Sequence, residues 1–144
     1  MAIKTRAVML NLQSKLLATG RFKAVTIGEP TRAPESPHAA VLMSRYEHPT
    51  TTLSGTIERR TLMIRIYIKA FQEPTADVEY LLDDLVTETM EDIFEDYDLG
   101  GNVRAVEPTL VTATSGYQQV DDTTFRLVDI SVPVIIDDSA TFAP

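Results

Sequence analysis

The chemically most specific pattern in this chain is an acidic stretch that contains two adjacent glycines. Asp96 and Asp98 occupy positions 1 and 3 of a twelve-residue segment, Gly101 occupies position 6, and Glu107 occupies position 12. Asn102 adds a further side-chain oxygen. This spacing is typical of a calcium-binding loop, because Ca²⁺ takes many oxygen ligands from a tightly turned backbone.

The same segment departs from a calcium loop at two positions. Gly100 stands at position 5, where a side-chain oxygen is needed, and Pro108 follows Glu107 in a run that is typical of a strand. The calcium motif requires a second helix there. We therefore expect an acidic helix that ends in a glycine turn, with no bound metal or cofactor, and keep calcium binding as the alternative.

A second candidate surface is the carboxylate-rich side of a helix that the sequence predicts over residues 75–97. Nine Asp and Glu residues lie between positions 77 and 96. Like charges four residues apart on a helix repel each other by roughly 0.2–0.5 kcal/mol. This side is a solvated face, a face that meets a basic neighbouring subunit, or the wall of a channel that must not bind DNA. The residues assigned to the interface or lumen are Asp84, Glu88, Glu91, Asp92 and Glu95.

Four arginines form a candidate basic surface that could pair with these acids. Arg59 and Arg60 lie near the start of the longest predicted strand, Arg65 lies further along it, and Arg45 lies on the preceding strand. These are either solvated arginines of a hairpin or a docking patch for the acidic helix of an adjacent copy. In such a head-to-tail contact unlike surfaces meet, which allows a ring to close.

The sequence contains no pattern that is typical of an enzyme. His38 and His48 are its only histidines, no serine lies in a Gly-x-Ser-x-Gly context, and there is no cysteine. The chain also lacks a phosphate-binding loop and a dinucleotide fingerprint. We therefore expect a non-enzymatic protein.

Charge is divided unequally between the two halves of the chain. Residues 1–69 contain eleven of the thirteen Lys and Arg residues and four acids, a balance of +7, whereas residues 70–144 contain two basic residues and seventeen acids, a balance of −15. The total of −8 disfavours non-specific binding to nucleic acid. The asymmetry favours contacts between copies of the chain.

Length and hydropathy favour a single domain without a membrane span. The chain has 144 residues, of which 44% are hydrophobic, so it can bury a core. No apolar run approaches the ~18 residues of a membrane span, and the first residues do not have the pattern of a signal peptide. We expect one domain over residues 1–144, with a flexible tail at 137–144.

Hydrophobic periodicity predicts two helices and five strands. The helices are expected over residues 4–18 and 75–97, and the strands over 22–27, 38–46, 57–71, 103–114 and 123–136, with a turn near Ser115 and Gly116. The expected apolar stripe of the second helix comprises Val78, Leu81, Leu82, Leu85, Met90, Ile93, Phe94 and Tyr97. The order α-β-β-β-α-β-β predicts an α+β domain, in which an antiparallel or mixed sheet carries both amphipathic helices on one face.

These elements together resemble the tail terminator family of long-tailed bacteriophages, which includes the lambda-type minor tail protein. The resemblance covers most of the chain. It lies in the N-terminal helix with its short strand, the loop through Glu29 and Pro30, the hairpin strand at 61–68, the helix at 78–94 and the last strand at 124–134.

The resemblance implies a structural protein that forms a six-subunit ring on the last ring of the major tail tube protein. Such a ring stops tube polymerisation and presents a surface to the head–tail connector, and genome DNA passes through it without specific binding. It implies a location in the virion tail, and in the host cytoplasm during assembly. A neck or head-completion ring is the alternative within the same structural class.

Overall fold

The computed structural model describes residues 2–47, 50–52, 55–70, 75–95, 105–106 and 111–137. Its helices are α1 (Ala2–Ala18) and α2 (Thr75–Glu95). The strands are β1 (Ala24–Ile27), β2 (His38–Tyr46), β3 (Thr50–Thr52), β4 (Gly55–Lys69), β5 (Ala105–Val106), β6 (Thr112–Val120) and β7 (Thr123–Asp137). The predicted α+β class and the order α-β-β-β-α-β-β are confirmed, with the short strands β3 and β5 inserted into that order.

The described strands form one mixed sheet in the order β1-β2-β4-β7-β5, in which β3 also pairs with β4 and β6 with β7. β1 and β2 are parallel, and the other described pairs are antiparallel. β4 and β7 form the longest pair, which extends from Ile57 opposite Asp137 to Lys69 opposite Phe125. This central pair is the scaffold on which the helices lie.

Both helices cover one face of the sheet, here called the helix face. α1 buries Val8, Leu12 and Leu16, which are four residues apart and therefore lie on one stripe. The strand side chains in the same core are Val25, Ala39, Val41, Leu62, Ile64, Ile66, Ile68, Val128, Ile130, Val132 and Val134. Alternate positions of β4 and β7 thus face the helices, as the period of two predicts.

The apolar stripe of α2 differs from the predicted one. Leu81 and Phe94 are 40% and 46% exposed, whereas Thr89 is buried. The buried positions are Val78, Leu82, Leu85, Thr89 and Ile93, at spacings of three and four. Leu81 and Phe94 therefore lie outside the core, and the prediction that they belong to it was wrong. Tyr97, the last predicted position of the stripe, lies outside the described residues.

The opposite side of the sheet, here called the open face, has a second and smaller core. Ala40, Tyr67, Phe125 and Leu127 are buried there. The loop at 28–37 lies over this end of the sheet, since Ala33 N donates to Asp121 Oδ2 at 2.8 Å and Lys69 N donates to Ser36 Oγ at 3.1 Å. Parallel strands need a connection that returns along the sheet, and this loop provides it.

The boundaries of β6 correct the prediction at the C-terminal hairpin. β6 continues through Ser115 and Gly116, and the turn lies at Asp121 and Asp122, where Val120 pairs with Thr123. Asp121 has a φ of 51°, a left-handed conformation that Asp tolerates better than most residues. β7 ends at Asp137, so the first residue of the predicted flexible tail belongs to the sheet, and residues 138–144 lie outside the described residues.

Candidate assembly surfaces

The carboxylate-rich side of α2 is divided between contacts within the chain and solvent. Arg21, which follows α1, donates from Nη2 to Asp92 Oδ2, and its Nε lies 3.4 Å from Glu88 Oε2. The guanidinium thereby connects the C-terminal end of α1 to the last turns of α2. Two of the five predicted interface or lumen residues, Glu88 and Asp92, thus already have a basic partner in their own subunit.

The other three predicted residues, Asp84, Glu91 and Glu95, are exposed on α2. Within the described part of the chain they make no ion pair. Asp83 lies beside them and is also exposed. We call Asp84, Glu91 and Glu95 the acidic outer face.

Large apolar side chains accompany these acids. Tyr80 is 68% exposed, and Leu81 and Phe94 are about half exposed. Exposed aromatic side chains are common anchors of protein interfaces, because they bury a large apolar area at a small entropic cost. The outer side of α2 therefore combines negative charge with apolar anchors.

The four arginines of the predicted basic patch do not form one surface. Arg59 and Arg60 are consecutive in β4, and successive side chains of a strand lie on opposite faces. Arg45 and Arg59 lie together on the open face, where they line a cavity of about 510 Å³ with Ser131 and Pro133. Arg45 is 3.7 Å from Glu47 in a largely exposed ion pair, which contributes little to stability.

Arg60 lies on the helix face, at the end of the sheet. Its Nη2 donates to Glu58 Oε2 at 2.9 Å, and its guanidinium lies 4.8 Å from the ring centroid of Tyr46. It lines a cavity of about 540 Å³ beneath the N-terminal half of α1, here called the α1 cavity. The residues that line the α1 cavity are Arg6, Met9, Leu10, Ile27, Met43, Tyr46 and Arg60.

Arg65 is the centre of an ion-pair network on the open face. Its Nε is 2.6 Å from Asp129 Oδ1 and its Nη2 is 3.0 Å from Asp129 Oδ2, a bidentate pair, and Nη1 also donates to Glu29. The hydrogen bonds to Asp129 raise the pKa of Arg65. Arg65 therefore ties the loop at 28–37 to β4 and β7, and its side chain is only 18% exposed.

Burial shifts the pKa of two aromatic neighbours of this network. Tyr67 is fully buried, and desolvation raises its pKa while the Arg65 guanidinium opposes that change. His38 is 3% exposed, contacts Tyr67 edge-to-face at 5.8 Å between ring centroids, and lies 3.0 Å from Thr26 Oγ1. Burial lowers the pKa of His38, so this histidine is a neutral core residue at pH 7.

Arg126 forms a junction that the sequence did not predict. Its guanidinium stacks on the Tyr117 ring at 4.7 Å, donates to the Gly116 carbonyl at 3.0 Å and pairs with Glu79 of α2 at 3.2 Å. It connects the start of α2 to β6. The acidic half of the sequence has only two basic residues, Arg104 and Arg126. This scarcity is the signal that could have found the junction, because a rare cation among many acids is the natural partner of one of them.

The calcium candidates Asp96, Asp98, Asn102 and Glu107 lie outside the described residues, whereas Ala105 and Val106 form the short strand β5. Among the residues that the structure describes, no group of three His, Cys, Asp or Glu side chains could hold a metal ion. No described helix is long and apolar enough to cross a membrane.

No family model matches this chain, and no curated protein matches it either. The fold is an α+β domain with two helices on one face of a mixed sheet. Among the described residues, its surface features include the acidic outer face of α2 and two cavities lined in part by arginines.

Proposed function

We propose that this chain is a structural subunit of a ring, a hexamer, that caps the tail tube of a long-tailed bacteriophage. The ring stops polymerisation of the tube protein and provides the surface that joins the tail to the head connector. Its location is the virion tail, after assembly in the host cytoplasm. The proposal starts from the resemblance of the sequence pattern to tail terminators.

The observation that carries the proposal is that one subunit has surfaces of opposite charge. Asp84, Glu91 and Glu95 are exposed on α2 without ion pairs among the described residues, while Arg45 and Arg59 lie on the open face and Arg6 and Arg60 beneath α1. Unlike surfaces that meet head-to-tail form closed rings when the rotation permits closure. Complementary charge also accelerates association and excludes wrong partners.

A second property of the acidic outer face fits the passage of DNA. Carboxylates repel the phosphate backbone, so a lumen lined by α2 would let the genome pass without binding it. Interface and lumen are different positions for the same helix. They are distinguished by charge reversal, because only an interface loses its association when its charges are inverted.

The first test is light scattering on the purified protein across a range of concentrations, at low and high salt. A ring predicts a species near six times 16.0 kDa at low salt that dissociates as salt rises, because exposed charge pairs are screened. Ring-shaped particles in negative-stain micrographs should accompany it. A monomer under all conditions, together with failure to cap tubes of a co-expressed tail tube protein, would refute the proposal.

A charge-reversal pair makes the test specific. Asp84→Lys/Glu95→Lys should abolish ring formation and virion yield if α2 is at the interface, while circular dichroism stays unchanged. Glu35→Lys/Asp122→Lys is the matched control, since both acids are exposed and neither belongs to α2. Rings that survive the α2 reversal but retain DNA would place the helix at the lumen. Rings that attach to the connector and never to tubes would instead favour a neck or head-completion protein.

A further inference from the structure

We infer that the α1 cavity is a docking site for the C-terminal end of α2 from a second copy of this chain, with Phe94 as its apolar anchor. This inference describes a contact between subunits of the proposed ring, and it therefore rests on the proposed function. It assigns the contact to the C-terminal end of α2 on one subunit and to Arg6 and Arg60 on the neighbouring subunit. The two surfaces are on the same subunit but face different neighbours.

The α1 cavity has the composition of a receptor for an apolar side chain. Its volume is about 540 Å³, and Met9, Leu10, Ile27 and Met43 contribute apolar walls. Leu10 is 46% exposed and Ile27 41% exposed, so a large apolar area at this site faces water. Clustered exposed apolar side chains beside polar groups are typical of interaction sites.

The charge at this cavity is positive. Arg6 and Arg60 line it, and no acid is among its lining residues. Arg60 is already paired with Glu58, whereas Arg6 is exposed and makes no ion pair within the described residues. A ligand that brings an apolar side chain with flanking carboxylates would therefore contact the apolar walls and pair with Arg6.

The outer side of α2 presents such a group. Glu91 and Glu95 lie three residues before and one residue after Phe94, and all three are exposed. On a helix, positions three and four residues apart are neighbours on the surface, so Glu91 and Phe94 lie side by side. An aromatic ring with an adjacent carboxylate is thus available in the last turns of α2.

The contact cannot form within one subunit. Arg21 holds Asp92 at the C-terminal end of α1, so Phe94 lies near that end. The cavity lies near Arg6, Met9 and Leu10, toward the other end of α1. At 1.5 Å rise per residue, Leu10 and Arg6 lie roughly 12 Å and 18 Å from position 18 of α1. Anchor and cavity therefore belong to different copies, and the contact joins unlike surfaces as ring closure requires.

Disulfide crosslinking tests the contact directly, because the chain has no cysteine of its own. Leu10→Cys/Phe94→Cys in one chain should give a ladder of covalent oligomers under mild oxidation, ending at the closed ring. Leu10→Cys/Tyr80→Cys is the matched control, since Tyr80 is exposed near the start of α2, fourteen residues from Phe94. A ladder with the control and none with the test pair would overturn the inference.

Charge exchange gives an independent readout. Phe94→Ala should weaken self-association at least about tenfold, as expected for an aromatic hot spot, and Leu17→Ala should leave it unchanged. Arg6→Glu should weaken it as well, and adding Glu91→Arg and Glu95→Arg to the same chain should restore it. If rings form as in the wild type with both Phe94→Ala and Arg6→Glu, the contact is wrong while the ring proposal stands. If the wild type itself forms no ring and caps no tube, the proposed function fails first.

Discussion

The helix face and the open face of the sheet are stabilised by different physics. The helix face is an apolar core in which Ile64, Ile66 and Ile130 are fully buried. The open face is held by the network of Arg65, Asp129 and Glu29, beside a small aromatic cluster. Apolar burial is insensitive to pH and weakly dependent on salt, whereas ion pairs and buried histidines respond to both. The open face should therefore respond to pH and salt through Arg65, Asp129 and His38, whereas the apolar core of the helix face should not.

The largest effect is expected on the helix face. Ile64→Ala should lower the free energy of unfolding by about 3 kcal/mol, because it leaves a cavity in a core that is well packed. Met63→Ala is the matched comparison, since Met63 is the adjacent residue, lies on the other face and is only partly buried. Urea unfolding of both variants measures the difference. Equal losses would show that the two faces are equally packed.

The next effect concerns the network of the open face. Asp129→Ala should cost about 1–3 kcal/mol, because it leaves the Arg65 guanidinium without its bidentate partner in a partly buried site. Arg65→Met/Asp129→Leu should recover part of this loss, since two apolar groups replace a desolvated pair. Unfolding at low and high salt provides the measurement. A double variant that is less stable than Asp129→Ala would contradict this account.

A smaller effect is expected at the β6–β7 turn, which anchors the loop at 28–37. Asp121→Ala should cost about 1 kcal/mol, because Ala tolerates a positive φ poorly and cannot accept the Ala33 N–H. Asp121→Asn keeps both properties and should be nearly neutral. Asp121→Gly separates the two effects, because glycine adopts a positive φ without strain but cannot accept the hydrogen bond from Ala33 N. Thermal melts rank the three variants, and an Asn variant as unstable as the Ala variant would argue against this explanation.

The smallest effect is a dependence on pH that originates at His38. Burial lowers its pKa in the folded state, so the unfolded chain binds more protons near and below pH 6.5, and stability must fall as pH decreases through that range. The melting temperature of the wild type should therefore fall between pH 7.5 and pH 5.5 by more than that of His38→Gln. His48→Gln controls for the other histidine of the sequence. Ile64→Ala should keep the wild-type slope, and identical slopes in His38→Gln and wild type would exclude this origin.

Strong periodicity makes most of the fold predictable. Alternation in β4 and β7 and the spacing in α1 identify the core positions from the sequence alone, because one face of each element has to be apolar. β6, in contrast, lacks a clear hydrophobic alternation. Most of its side chains are exposed on both sides, so its sequence carries no alternation and its turn was placed too early. Strand periodicity could also have separated Arg59 from Arg60, since adjacent strand residues lie on opposite faces.

Contacts between segments that are distant in the sequence produce no pattern comparable to hydrophobic periodicity. Arg65 meets Glu29 and Asp129 across separations of 36 and 64 residues, and Arg21 meets Asp92 across 71. The sequence marked all of these residues as charged and could not say which pairs would form. The assignment of Glu88 and Asp92 to an interface or lumen stays a prediction, but their pairing with Arg21 gives them a role inside the subunit.

The sequence by itself determined the order of the main elements, the buried sides of α1, β4 and β7, and the charge asymmetry of the two halves, because these follow from short-range periodicity and composition. Only the tertiary structure decided how the charges are used. Arg21 pairs with Glu88 and Asp92, so these two acids of α2 are neutralised within the subunit. Glu91, Phe94 and Glu95 stay exposed, at the end of α1 opposite the α1 cavity. The pairing of charges within a subunit depends on the distances between segments that are remote in sequence. Those distances are fixed only when the chain has folded.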